Sequence, residues 1–166
     1  MAETRKNTAD MRLREDAAWM ELALEQARLA AEAGEVPVGA LVIKDGEIVG
    51  KGHNRNLLDN DPTAHAEIIA LRQAALRLRN HRLSGCVMVA TIEPCSMCAG
   101  ALIHARIARL VYGANDPKAG AAGSTVQVIN NPSLNHRMEV TSGVLAGKCS
   151  EILQKFFRQK RQQTSC

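Results

Sequence analysis

Aromatic residues are nearly missing: Trp19, Tyr112, Phe156 and Phe157 are the only four in 166 residues. A core built from this chain is therefore aliphatic. A bound base cannot rest on a platform of several stacked rings, which argues against a generic single-strand-binding sheet. Long apolar runs are also missing, and none approaches the roughly 20 residues that span a bilayer. The first fifteen residues, "MAETRKNTADMRLRE", carry charges without the apolar stretch of a signal peptide or anchor. The expectation is a soluble chain whose residues 1–15 form a disordered extension. No repeat, low-complexity tract or linker divides the sequence, so a second domain has no support. Charge is not lopsided either. A net charge of +4 is compatible with a polyanionic partner and equally with an ordinary soluble enzyme. Five cysteines are an odd number, and Cys95 and Cys98 stand too close for a secreted framework, which points to free or metal-bound thiols in a reducing compartment. The cytoplasm is the expected address.

What is present is enough for one compact domain, since 46% of the residues are hydrophobic. The reading places that domain at residues 16–161, with 162–166 as a flexible tail. Met20, Ala23, Leu24, Ala27 and Ala31 recur at helical spacing and stop at Gly34, a residue suited to closing a helix. "VPVGALVIK" and "EIVGKGHN" are two β-rich runs joined by Asp45-Gly46, a strong hairpin signal. Beyond Asp61-Pro62, Ile68, Leu71, Ala75 and Leu78 trace a second helix with Thr63 as its expected N-cap. "CVMVATI" reads as a strand covered on both faces, "CSMCAGALIHA" as a helix and "RLVYG" as another strand. That succession implies a right-handed parallel crossover. With a last strand in "HRMEVTSG" and a helix over 146–161, docked by Ile152, Leu153, Phe156 and Phe157, the expected architecture is a three-layer α/β/α sandwich on a mixed five-stranded sheet. The segment 113–136, rich in Gly, Ala, Asn and Pro, is too long for a turn and reads as a wall or lid of a site.

The chemistry gathers at two helix starts. In "TAHAEIIALRQ", His65 and Glu67 lie two apart, so they project to different sides of the helix. They converge only on a point beyond its N-terminal tip. Cys95 and Cys98 stand three apart in the opening turn of the next helix, directly after Pro94. One imidazole and two thiolates suit zinc, and three protein donors leave a tetrahedral corner for water, as catalytic sites do. The alternative is a structural site closed by a distant fourth donor such as Cys86, Cys149 or His104. Glu67 is out of register for a capping box with Thr63, which leaves it available for acid/base work; otherwise it is an exposed first-turn acid favoured by the helix dipole. His53, His81, His104 and His136 have no motif around them and are assigned no role.

His-x-Glu followed by Pro-Cys-x-x-Cys resembles the signature of the cytidine/deoxycytidylate deaminase superfamily. "EVPVGALV", "GHNR", "DPKAGAAGS", "NHRMEVTSGVLA" and "FFRQKR" extend that resemblance over residues 16–161, toward the branch of adenosine deaminases that act on tRNA. The resemblance implies a zinc ion held by His65, Cys95 and Cys98, and hydrolytic conversion of adenosine to inosine at the wobble position of the anticodon. It implies Glu67 as the proton shuttle, Asn54 as a hydrogen-bonding partner of the base, the Ala66 N–H as a donor to the attacking oxygen, and Asp116 beside the backbone of the target nucleotide. A homodimer is implied too, covering the apolar "AGALIHARIARL" segment, with no organic cofactor and no membrane; wholly internal burial of that segment is the alternative. Arg158, Lys160 and Arg161 on the last helix are expected to meet RNA phosphates, or else to form a solvated basic tail. Two rivals stay open: a deaminase of free cytosine, guanine or cytidine, and an inactive zinc-stabilised RNA-binding module.

Overall fold

The computed structural model describes residues 2–164, and their side chains from residue 7 to 163. In chain order the elements are α1 (Ala2–Glu32), β1 (Gly39–Lys44), β2 (Glu47–His53), α2 (Asn56–Asp59), α3 (Ala66–Leu78), β3 (Val87–Ile92), α4 (Ser96–His104), β4 (Arg109–Ala114), β5 (Glu139–Thr141) and α5 (Ala146–Thr164). The sheet order is β2-β1-β3-β4-β5. β1 runs antiparallel to both β2 and β3, whereas β3, β4 and β5 are mutually parallel. This is the mixed sheet expected, and its hairpin turns on Asp45 and Gly46, both at positive φ (50° and 77°), as the tight primed turn requires.

The strands of the sheet's centre alternate sides. Ala40, Val42, Met88, Ala90, Leu110 and Tyr112 face the layer built by α3 and α4, with Ala70, Ala74, Ala99 and Leu102 against them. Leu41, Ile43, Val89 and Val111 face the other layer, where Met20, Ala23 and Leu24 of α1 meet Cys149 of α5. Burial on both faces explains why these strands read as continuous apolar runs. Small residues set the spacing of the α3 layer. A Cβ on Gly50 would stand 2.2 Å from the Ala70 carbonyl oxygen, and one on Gly52 would stand 2.5 Å from that of Ala66. The missing side chains let α3 lie directly on β2.

Three sequence expectations are corrected. Residues 2–15 are not an unstructured extension; they continue α1, which has no glycine or proline to stop it. An Asp10–Arg14 pair lies along this stretch, Arg12 binds Glu139 at 2.7 Å, and buried Asp16 accepts two hydrogen bonds from Arg109. At the other end α5 runs on to Thr164, and of the expected flexible tail Ser165 and Cys166 lie outside the described residues. Thr63 is not the cap of α3: its N–H and hydroxyl both go to Asp61 Oδ1, and the cap position belongs to His65.

Candidate metal centre and active site

The antiparallel placement of β1 brings its N-terminal end to the same edge of the sheet as the C-terminal ends of β2, β3 and β4. At this edge, where strand direction switches, open α/β sheets bind their ligands. His65 caps α3 and Cys95 caps α4, and neither makes the side-chain hydrogen bond usual for a cap. Both cap residues are thus spent on something other than holding a helix. For α3 the missing cap comes from elsewhere: Asn54, just past β2, accepts the Ala66 N–H on Oδ1 at 2.9 Å.

His65 Nδ1 lies 3.6 Å from Cys95 Sγ and 3.6 Å from Cys98 Sγ. Zinc–nitrogen and zinc–sulfur bonds of about 2.05 and 2.3 Å at the tetrahedral angle require about 3.6 Å between the donors. The three ligand atoms all lie within 4.8 Å of one another and can hold a metal ion. Among the described residues this cluster has three members, since Cys86 and Cys149 are buried in the apolar cores and His104 ends α4. A distant fourth donor therefore does not close the site. The thiols are already differentiated: hydrogen bonding from Cys98, opposed by burial and aided by His65, draws Cys95 down to about 3. The same contact from Cys95, with burial, pushes Cys98 up. His65 is raised by its hydrogen bond to Cys95.

Glu67 is 3% exposed, so it is no solvated first-turn acid. Burial raises its pKa, against the opposing pull of its own N–H and of His65. It lines a pocket of about 390 Å³ with His65, Cys95, Asn54 and Asp116. The Ala66 N–H is engaged by Asn54 rather than directed at a ligand. The structure also brings in residues the sequence reading passed over. Leu153 docks α5 against the core as expected and also lines the pocket, whereas Phe157, expected to dock, is 44% exposed and lines the pocket instead. Glu35 is buried and accepts the Leu57 and Leu58 N–H groups at 2.7 and 2.8 Å, which ties α2 to the start of the sheet. Glu93 is also buried. Its burial opposes ionisation, but hydrogen bonds from the Ser124 side chain and from the Asp116, Ser124 and Ala122 backbone hold its carboxyl below the ordinary range.

A second groove of about 470 Å³ adjoins the pocket, sharing Lys118, Leu153 and Phe157 and adding Arg158 and Arg161. Lys160 turns the other way and sits 5.3 Å from the centre of the Phe156 ring. The basic surface beside the site is therefore Lys118, Arg158 and Arg161 rather than the trio expected from the last helix alone.

A histidine and two cysteines at facing helix tips, beside a buried glutamate on an α/β/α sandwich, form the arrangement of the nucleobase deaminases. The model of the MafB19-like deaminase family matches residues 14–161, and the chain belongs to that family. It is 48% identical over 158 residues to the tRNA-specific adenosine deaminase of Haemophilus influenzae, a match covering 95% of this chain and 91% of that protein. Among solved structures it resembles a tRNA:A34 deaminase studied for A-to-I editing at the wobble position, with TM-score 0.80 and 46% identity over 82% of this chain and 99% of that one. A guanine deaminase from Nitrosomonas europaea has the same fold, with TM-score 0.71 and 28% identity over 84% of this chain and 83% of that one.

Proposed function

We propose that this chain deaminates adenosine to inosine at the wobble position of tRNA anticodons, with one zinc ion per subunit held by His65, Cys95 and Cys98. The observation that carries the reading is a three-donor cluster beside the buried carboxylate of Glu67, in a pocket that opens into a basic groove. The identity to named tRNA-specific adenosine deaminases supports RNA adenosine over a free base. Bound there, zinc supplies a Lewis acid and a water that ionises near neutral pH. Glu67 carries the protons in two transfers: it takes the first from the attacking water and delivers it to ring N1, then takes the second from the hydroxyl now on C6 and delivers it to the amine, so that the C6–N bond breaks and ammonia leaves. Burial suits it to this exchange, because a carboxyl raised toward the working pH both holds and releases a proton.

Asn54 presents its amide to the base. Its Oδ1 is committed to Ala66, which turns the Nδ2 donors toward the ligand. The Ala66 N–H therefore acts through Asn54 rather than on the attacking oxygen. Asp116 shapes the wall near the target nucleotide's backbone, its Oδ1 accepting the Lys118 and Ala119 N–H groups at 3.0 and 3.1 Å. Lys118, Arg158 and Arg161 hold phosphates on either side of a splayed-out base. No helix among the described residues is long and apolar enough to cross a membrane, and a tRNA substrate fits a cytoplasmic address. Met97, Gly100 and Ala101 are only half-buried on α4 and form the face through which a homodimer would pack. Sedimentation as a monomer at micromolar concentration would reject that dimer.

Mass analysis of nucleosides after incubation with an adenosine-bearing anticodon stem-loop tests the activity, with free adenine, guanine and cytosine alongside. Inosine is expected from the RNA and no product from the bases. Glu67→Ala retains stoichiometric zinc and loses deamination by about two orders of magnitude or more. Cys98→Ala loses the metal itself. Full activity in the first variant, or full zinc in the second, removes the assigned role.

A further inference from the structure

Glu93 directly follows β3 and is 1% exposed, so a charged side chain there needs a reason. Its Oε2 accepts the Asp116 N–H at 3.0 Å, and its Oε1 accepts those of Ala122 and Ser124 at 2.9 and 3.1 Å. All three donors belong to the loop that follows β4. The next two residues grip the same loop through the backbone: the Ala121 N–H donates to the Pro94 carbonyl at 2.8 Å, and Cys95 forms an isolated antiparallel bridge with Gly120. Three consecutive residues thus hold the loop, and the third belongs to the metal cluster. The fit leaves no slack. A Cβ on Gly120 would stand 2.4 Å from the Glu93 carboxyl carbon and 2.6 Å from the Asp116 carbonyl oxygen.

We infer that Glu93 is a positioning residue that keeps the wall formed by Asp116, Lys118 and Ala119 in register with the metal ligands, so that the pocket's width is fixed through its side chain. The segment is a stapled wall rather than a lid. A carboxylate is needed because donors arrive on both of its oxygens. A glutamine offers one accepting oxygen, so whichever way the amide turns, an N–H group meets an NH₂. An apolar residue would take the acceptor from the part-buried N–H groups of Asp116, Ala122 and Ser124.

The test compares Glu93→Gln with Gly120→Ala, which disturbs the same contact from the opposite side. Measured are zinc content, the rate of tryptic cleavage after Lys118, and steady-state kinetics on an adenosine-bearing anticodon stem-loop. Both variants are expected to keep their zinc, to be cut after Lys118 about tenfold faster than the parent, and to show a KM raised about tenfold with a smaller change in kcat. Should Glu93→Gln not fold, Gly120→Ala alone decides. Parental cleavage and parental KM in the folded variants overturn the inference, as does loss of zinc with an intact loop, which would assign Glu93 to the metal strand instead. The kinetic arm rests on the proposed activity, whereas the cleavage arm does not. A parent inactive on the stem-loop therefore refutes the activity and leaves the positioning role to proteolysis.

Discussion

Asn54 does two things with the two ends of one amide. Its oxygen replaces the cap that α3 lacks, and under the proposed function its nitrogen is left for the base. Asn54→Asp separates the two tasks. The aspartate still accepts the Ala66 N–H, and its charge is favourable at a helix N-terminus, so stability stays within about 1 kcal/mol of the parent. The donors are gone, however, and kcat/KM on the stem-loop should fall by about tenfold or more. Calorimetric melting and kinetics on the same preparation check both halves; an active variant would show that the base does not read Nδ2. At this scale the sequence was most legible where residue type itself carries the chemistry. His65, Glu67, Cys95 and Cys98 are rare types at spacings that serve one point in space, and all four meet at the site. Glu35 and Glu93 were illegible for the opposite reason. Their partners are backbone N–H groups from 22 to 31 residues away, and backbone donors leave no signature in a side-chain pattern.

At the scale of elements, the closeness of β2 and α3 is the critical dimension, because Asn54 reaches the tip of α3 only if that helix lies directly on the strand. Gly52→Ala forces a methyl group toward the Ala66 carbonyl and must lift the N-terminal turn of α3. The expected cost is about 1–3 kcal/mol of stability, with weaker zinc retention, because His65 caps that turn. Chemical denaturation and metal analysis test this, and an unchanged midpoint with full zinc would mean that the layers yield without harm. Periodicity located these elements well where a breaker bounded them, as at the Asp45-Gly46 hairpin. It failed at the start of α1, whose polar first turns lack the apolar stripe by which a docked helix is recognised. There the contacts are ionic instead, Arg12 with Glu139 and Asp16 with Arg109. It failed again at Thr63, where a nearby aspartate outcompeted the helix for the hydroxyl.

Across the whole molecule, the metal cluster joins two units that also meet through the sheet and where α3 packs beside α4. His65 belongs to the helix packed on the β1–β2 hairpin, and the cysteines belong to the β3-α4-β4 crossover. An ion shared by these donors would close a loop from residue 65 to residue 95, a separation of 30. By analogy with a disulfide across the same span, the closure is worth about 3–4 kcal/mol. Exhaustive chelation should therefore lower Tm by several degrees, and added zinc should restore it. An unchanged Tm after verified metal removal would show that the two units hold each other without the ion. The mixed five-stranded sheet and its three layers were readable from the run of strand and helix patterns, whereas the order of the strands and the contribution of α5 to the pocket were not. Phe157 has the composition of a docking residue, and only the path of the chain turns it toward the site.

That path also orders events in time. All three candidate metal donors lie within the first 98 residues, but the wall at Asp116–Ala119 and the side chains of Leu153 and Phe157 emerge later from the ribosome. The three donors thus precede in synthesis the side chains that complete the cavity, and a finished pocket waits for the last helix to arrive.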